Sequence, residues 1–260
     1  MKTYSDNRNL LADRVILVTG AGQGIGRTAA LTFAEYGATV ILHGRKAGKL
    51  ERVYDEIEAL GKASAIILPF DFEQVTEADI TKLTEAIHSQ IGQLDGILHN
   101  VAWINGPMPL EFHTLEHWQT TLQVNLLIPA LLTRACFPLL KAASDASVIM
   151  TGDTHGQVPA AYWGAFAVAK AGISALVRIQ AEEWEIYPNL RINALIPGAV
   201  DTPQRTKTHP GNNNRLLPKP EDLMETYLFL MGPNSRGVTG KTFNCQKESL
   251  HNGQEICPDS

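Results

Sequence analysis

Short runs of aliphatic and β-branched residues recur along the chain: Val15-Ile16-Leu17-Val18, Thr39-Val40-Ile41-Leu42, Ala65-Ile66-Ile67-Leu68, Ile97-Leu98, Val148-Ile149-Met150 and Ile192-Asn193-Ala194-Leu195-Ile196. They show little polar alternation, which a strand loses once both its faces are covered, so they predict buried strands. Between them, apolar positions recur at helical spacing over Arg27 to Tyr36, Ala47 to Leu60, Thr76 to Ile91, Leu115 to Leu140 and Ala161 to Tyr187. Gly37, Gly61, Gly92 and Pro188 follow four of these stretches as stop signals. Strand and helix in alternation predict a parallel sheet joined by right-handed crossovers. The expected fold is therefore α/β, a single Rossmann domain over residues 1–260 with a doubly wound parallel sheet and helices on both faces.

Two stretches break the alternation. From Asp201 to Asp222, four prolines, a glycine and three consecutive asparagines make a long irregular connection, which is either a lid over a ligand or a plain surface loop. Residues 244–260 are polar and without period, and read as a loosely ordered tail.

Composition narrows the partners. A formal charge of −5 with scattered Lys and Arg gives no basic patch for a phosphate backbone, so nucleic acid is not expected. The most apolar region, Val124 to Leu140, is interrupted by Asn125, Pro129, Thr133, Arg134 and Pro138, and Met1 to Leu10 is polar, so neither a membrane span nor a secretory signal is expected. Three cysteines without a CxxC pair indicate neither a disulfide framework nor a metal site and fit a cytoplasmic protein.

The chemistry begins where the first strand ends. Thr19-Gly20-Ala21-Gly22-Gln23-Gly24-Ile25-Gly26 lies between that strand and the first helical pattern. In this context glycines let the backbone turn and approach a pyrophosphate, whose charge faces the amides at the helix start. A dinucleotide is expected, held by Gly20, Gly22, Gln23, Gly24, Ile25 and Gly26. The second strand ends in Leu42-His43-Gly44-Arg45-Lys46, with basic residues where an NAD site would carry an acid for the ribose 2′-hydroxyl. Arg45 and Lys46 suit a 2′-phosphate, which favours NADP(H) over NAD.

From about Leu11 to Phe243 the chain resembles the short-chain dehydrogenase/reductase family, and within it Leu11-Ala12-Asp13-Arg14, Trp163-Gly164-Ala165 and Tyr227-Leu228-Phe229-Leu230-Met231-Gly232 look most like the bacterial YciK-type oxidoreductases. The resemblance assigns Asp71 and the adjoining Phe72 to the adenine end. It places Asn100 and Val101, in Asp95-Gly96-Ile97-Leu98-His99-Asn100-Val101-Ala102, beside the ribose, and gives Asn125 a relay water. Pro197, Gly198 and Thr202 would contact the nicotinamide, and Lys170 its ribose. The same likeness implies a small-molecule substrate and a homodimer or homotetramer built on long helices, where Ala161, Ala165, Ala169 and Gly172 form a low-profile strip.

At the catalytic positions the chain departs from the family, which places a Tyr four residues before the Lys and a Ser thirteen before that Tyr. Here those positions hold Phe166 and Asp153. Residues four apart share a helix face, and an ammonium there would lower a phenol pKa, but a phenyl ring has no proton to move. Tyr162, eight residues before Lys170, could supply the missing hydroxyl or merely line the cleft rim. His155 could reach a substrate or form a polar wall. Two functions stay open: an NADP(H)-dependent oxidoreductase acting on a carbonyl, alcohol or activated double bond, or a dinucleotide-binding protein that has lost the chemistry.

Overall fold

The structure, a computed structural model, describes residues 8–61 and 64–246. All six expected strands form: β1 (Val15–Thr19), β2 (Thr39–Gly44), β3 (Ala65–Pro69), β4 (Gly96–His99), β5 (Ala146–Thr151) and β6 (Leu190–Ile196). A seventh, β7 (Thr242–Asn244), pairs with β6 and overlaps the start of the expected tail. Only three residues long and half-buried, it carries no apolar run to announce it. The rest of that expected tail, residues 247–260, lies outside the described residues.

The strands form one sheet in the order β3-β2-β1-β4-β5-β6-β7, with every neighbour parallel. Successive side chains of a strand point to opposite faces, and two cores result. Ile16, Val18, Val40 and Leu42 face the helices α1 (Gly24–Glu35), α2 (Ala47–Ala59) and α9 (Met224–Met231). Val15, Leu17, Ile41 and Ile97 face α3 (Glu77–Gln90), α5 (Ile128–Ala142) and α7 (Gly164–Glu183). Strand order reverses between β1 and β4, and such a switch point opens a crevice at the carboxyl ends of the strands.

The helical stretch Leu115–Ala142 contains α4 (Leu115–Leu122), a π turn (Gln123–Leu127) and α5. By length and composition it could cross a membrane. Here its stripe of Val124, Ile128, Leu132, Cys136, Leu139 and Leu140 is buried in the second core. The segment from 201 to 222 is neither a bare loop nor a structureless lid. It folds into α8 (Pro203–Thr208) and two short 3-10 turns, with Thr202 Oγ1 accepting from Arg205 N at 3.2 Å and Asp201 N donating to Pro218 O at 2.9 Å.

At the opposite ends of the strands, Asp145 is buried between arginines. Arg14 Nη1 donates to its Oδ2 at 2.6 Å, Arg191 donates to its Oδ1, and Arg236 lies 3.3 Å away. Arg14 also holds the carbonyls of Asp95 and Asp145, and Arg191 holds Ser235 Oγ and the Gly232 carbonyl. The cluster joins the amino-terminal ends of β1, β5 and β6.

Candidate functional site

The glycine loop is bound into the switch point by Thr19. Its hydroxyl donates to Leu98 O at 3.2 Å and accepts from Asn100 N at 2.9 Å and Val101 N at 3.2 Å, so β1 and β4 end in one unit. Gly20 and Gly24 have φ of 73° and 55°, a region that side chains disfavour. Gly26 packs so closely that a Cβ would stand 2.2 Å from Gly20 O and 2.6 Å from Asn100 Nδ2. Gln23, the N-cap of α1, makes no side-chain bond to the helix amides, and the first turn carries no acid. Unfilled donors and an uncompensated dipole suit a phosphate there.

A cleft of about 940 Å³ runs from this loop across the strand ends. Gly20, Gly22, Gln23, Gly24, Ile25, Arg45, Lys46, Asp71, Phe72, Asn100, Val101, Lys170, Pro197, Gly198 and Thr202 all line it. Of the expected dinucleotide residues only Gly26 stands behind the lining, where it supports the loop. Arg45 is held by Glu73 and Lys49 by Gln23, and Lys49 adds a basic group that the sequence reading omitted. His43 also lines the cleft. Its ring stacks on Phe72 at 4.1 Å, and both its nitrogens are buried without a partner among the described residues. Burial lowers its pKa to about 3, so the ring is neutral. His99, by contrast, turns below the cleft to Thr133 Oγ1 at 2.8 Å.

Asn125 is not among the cleft-lining residues. Its amide makes three bonds: Oδ1 accepts from Trp103 N at 3.2 Å, and Nδ2 donates to the carbonyls of Trp103 and Thr121 at 2.8 and 2.9 Å. It therefore holds the Trp103 strand end against the π turn. Tyr162 does not enter the cleft either. It has φ 75° and its side chain is 58% exposed, because the chain turns sharply where the His113 ring packs on Gly164. The small-residue strip is only partly covered within the chain, and Ala161 is exposed. Ala165 and Ala169 are fully buried, Gly172 lies against Leu126, and Ala161 precedes the helix.

At the centre of the cleft, Lys170 Nζ donates to Thr151 O at 2.8 Å and sits 5.7 Å from the centre of the Phe166 ring. Burial brings its pKa down to about 8, against the pull of Asp153. Asp153 caps the short helix α6 (Thr154–Gln157). Its Oδ1 accepts from His155 N and from His155 Nδ1, each at 2.9 Å. Burial would raise the Asp153 pKa, but these bonds and the charge of Lys170 outweigh it and hold the group below the usual carboxylate range. The His155 ring stacks on Trp163 at 3.8 Å, and His209 of the α8 segment lies 5.5 Å from the same indole. Arg205 and Lys207 join this wall. The sequence offers this segment as a lid or a surface loop without singling out these residues, since an irregular stretch has no period to show which way each side chain points.

Comparison with known proteins gives the family. Residues 14–213 match the short chain dehydrogenase family. This chain belongs to that family. The uncharacterised oxidoreductase YciK of Escherichia coli is 37% identical to this family member over 94% of the present chain and 96% of its own. A short chain dehydrogenase from Pseudomonas syringae superposes with a TM-score of 0.90 at 40% identity, covering 95% of this chain and 100% of that one. One from Shigella flexneri, described as complexed with NADP, gives a TM-score of 0.87 at 38% identity over 92% of this chain and 100% of its own.

Proposed function

We propose that the protein is an NADP(H)-dependent oxidoreductase that moves a hydride between nicotinamide C4 and a carbonyl, alcohol or activated double bond, at a non-standard catalytic site. The observation that carries this reading is the continuous cleft, which joins the glycine loop to Lys170 and to the Pro197–Thr202 turn. The NADP complex of the Shigella flexneri relative supports the cofactor. The bound dinucleotide would supply the hydride. The chain's own residues would do the rest: the α1 amides would face the pyrophosphate, Arg45 and Lys46 would hold the 2′-phosphate, and Lys170 the nicotinamide ribose. Because Arg45 already faces Glu73, the phosphate must compete for it. Arg45→Ala is expected to weaken NADPH about tenfold or more and leave NADH unchanged, measured by fluorescence titration. Equal affinities of the natural protein for NADPH and NADH would refute the assignment.

A second reading, a catalytically impaired binding or regulatory module, is favoured by Phe166 and Asp153 at the usual Tyr and Ser positions. The two are separated by following NADPH absorbance with a panel of aldehydes, ketones and enones. The natural chain is expected to turn over. Turnover only in the Phe166→Tyr, Asp153→Ser double variant would favour the module. We further propose a homodimer or homotetramer in a cytoplasmic setting, supported by exposed Leu127 and Val168 and by free Cys136 and Cys245, with the assembly read out as mass by light scattering.

A further inference from the structure

The substrate end of the cleft carries a polar arrangement that a dinucleotide does not need. With Nδ1 of His155 bonded to Asp153 Oδ1 at 2.9 Å, the opposite ring nitrogen, Nε2, faces away from the carboxylate. A carboxylate behind one imidazole nitrogen sets the tautomer and supports the cation that forms when the other nitrogen takes a proton. The ring is held a second time by its stack on Trp163, with 16° between the planes. Trp163 also stacks with His209, from the segment that carries Arg205. Arg205 lines the cleft and feels the charge of Asp153, yet no ion pair joins the two among the described residues, and its buried Nε has no hydrogen-bond partner there. Phe166 closes the neighbouring wall with a ring that cannot exchange a proton, 5.9 Å from Trp163.

We propose that His155, oriented by Asp153, is the proton donor and acceptor of this site, and that Arg205 holds the carboxylate of a 2-oxo or 2-hydroxy acid substrate. This rests on the oxidoreductase reading above. A guanidinium fork matches a carboxylate in two parallel hydrogen bonds, and a 2-oxo acid presents that carboxylate directly beside its reacting carbonyl. In the reducing direction the carbonyl carbon gains a hydride from NADPH and the π pair of the C=O bond moves to oxygen. That oxygen takes the proton from Nε2 of protonated His155, leaving neutral imidazole, NADP⁺ and the 2-hydroxy acid. Oxidation is the reverse, with His155 accepting the hydroxyl proton.

The test combines binding and turnover. Calorimetric titration with oxamate, a 2-oxo acid analogue that is not reduced, is made on the NADPH-loaded natural protein, His155→Gln, Asp153→Asn and Arg205→Leu. NADPH oxidation is followed with pyruvate and phenylpyruvate and with their methyl esters. Expected are saturable oxamate binding to the natural protein and a preference for at least one acid over its ester. Arg205→Leu should weaken oxamate about 10–100-fold and erase that preference. His155→Gln should lower kcat about 10²–10⁴-fold with oxamate affinity kept, and Asp153→Asn should lower kcat in the same direction. NADPH affinity is measured on each variant to show that the fold is intact. Loaded protein that ignores oxamate, or a kcat untouched by His155→Gln, would overturn this proposal alone. Failure of the natural protein to bind NADPH would overturn the reading beneath it as well.

Discussion

Replacing Lys170 by Met is expected to make the protein more stable while removing its function. The Lys170 ammonium is 4% exposed, and burial brings its pKa from 10.5 to about 8. A lowered pKa means that at pH 7 the fold carries the cost of a charge held out of water. At about 1.4 kcal/mol per unit that cost is about 3 kcal/mol, from which the lost bond to Thr151 O takes back about 1. Unfolding in denaturant at pH 7 should therefore show Lys170→Met about 2 kcal/mol more stable, a rise in Tm of about 5 °C. As pH rises from about 8 towards 10.5, the folded natural protein has released this proton while the unfolded chain still binds it, so natural stability climbs and the gap closes. NADPH affinity should fall in the variant at every pH. A variant no more stable than the natural protein at pH 7 would show that the buried ammonium carries no net cost. The retention of so costly a group is itself an argument that the cleft has a function to serve.

What could be read from the chain divides along physical lines. Strands β1, β2 and β4 to β6 announce themselves because burial on both faces demands continuous apolar runs; β3, at one sheet edge, keeps such a run while only half-buried, whereas β7 at the other edge, three half-buried to exposed residues, has none. The glycine loop is legible for a related reason: a positive φ at Gly20 and Gly24 and the 2.2 Å approach at Gly26 exclude other residues, so backbone geometry is written directly into sequence. Side-chain direction outside regular elements is not written that way. Tyr162 looks available when counted from Lys170, but one left-handed residue before α7 turns its ring to solvent. Asn125 stands at the expected position, yet the π turn commits its amide to Trp103 and Thr121, which no spacing could reveal. His209 meets His155 on Trp163, and Arg205 lines the same cleft, only because the Pro-rich segment folds back over the strand ends. Asp153 and His155 are two residues apart, so their contact was within reach of the sequence, but the stack that orients the imidazole was not.

The second large effect lies at the amino-terminal ends of the strands. Asp145→Asn keeps the shape of the side chain and removes its charge, leaving Arg14 and Arg191, 9% and 2% exposed, without their counterion. Removing one partner of a buried ion cluster costs about 3–5 kcal/mol, because the remaining guanidinium charges can neither pair nor be shed. Tm should fall by about 10 °C, while NADPH affinity measured at 25 °C stays unchanged, since the cluster ties strand beginnings and the cleft is built on strand ends. Burial would raise the Asp145 pKa, but hydrogen bonds and charge from Arg191 and Arg14 prevail and hold it below the usual carboxylate range. A depressed carboxylate contributes stability that is present above its unfolded pKa and lost as pH falls through its folded one. The natural protein should therefore lose most of its advantage over the Asn variant in acid below about pH 4, where the two stability curves converge. Curves that stay parallel through that range would mean that Asp145 acts through its hydrogen bonds alone, and that the arginines around it are satisfied by the carbonyls of Asp95 and Gly232 without a counter-charge.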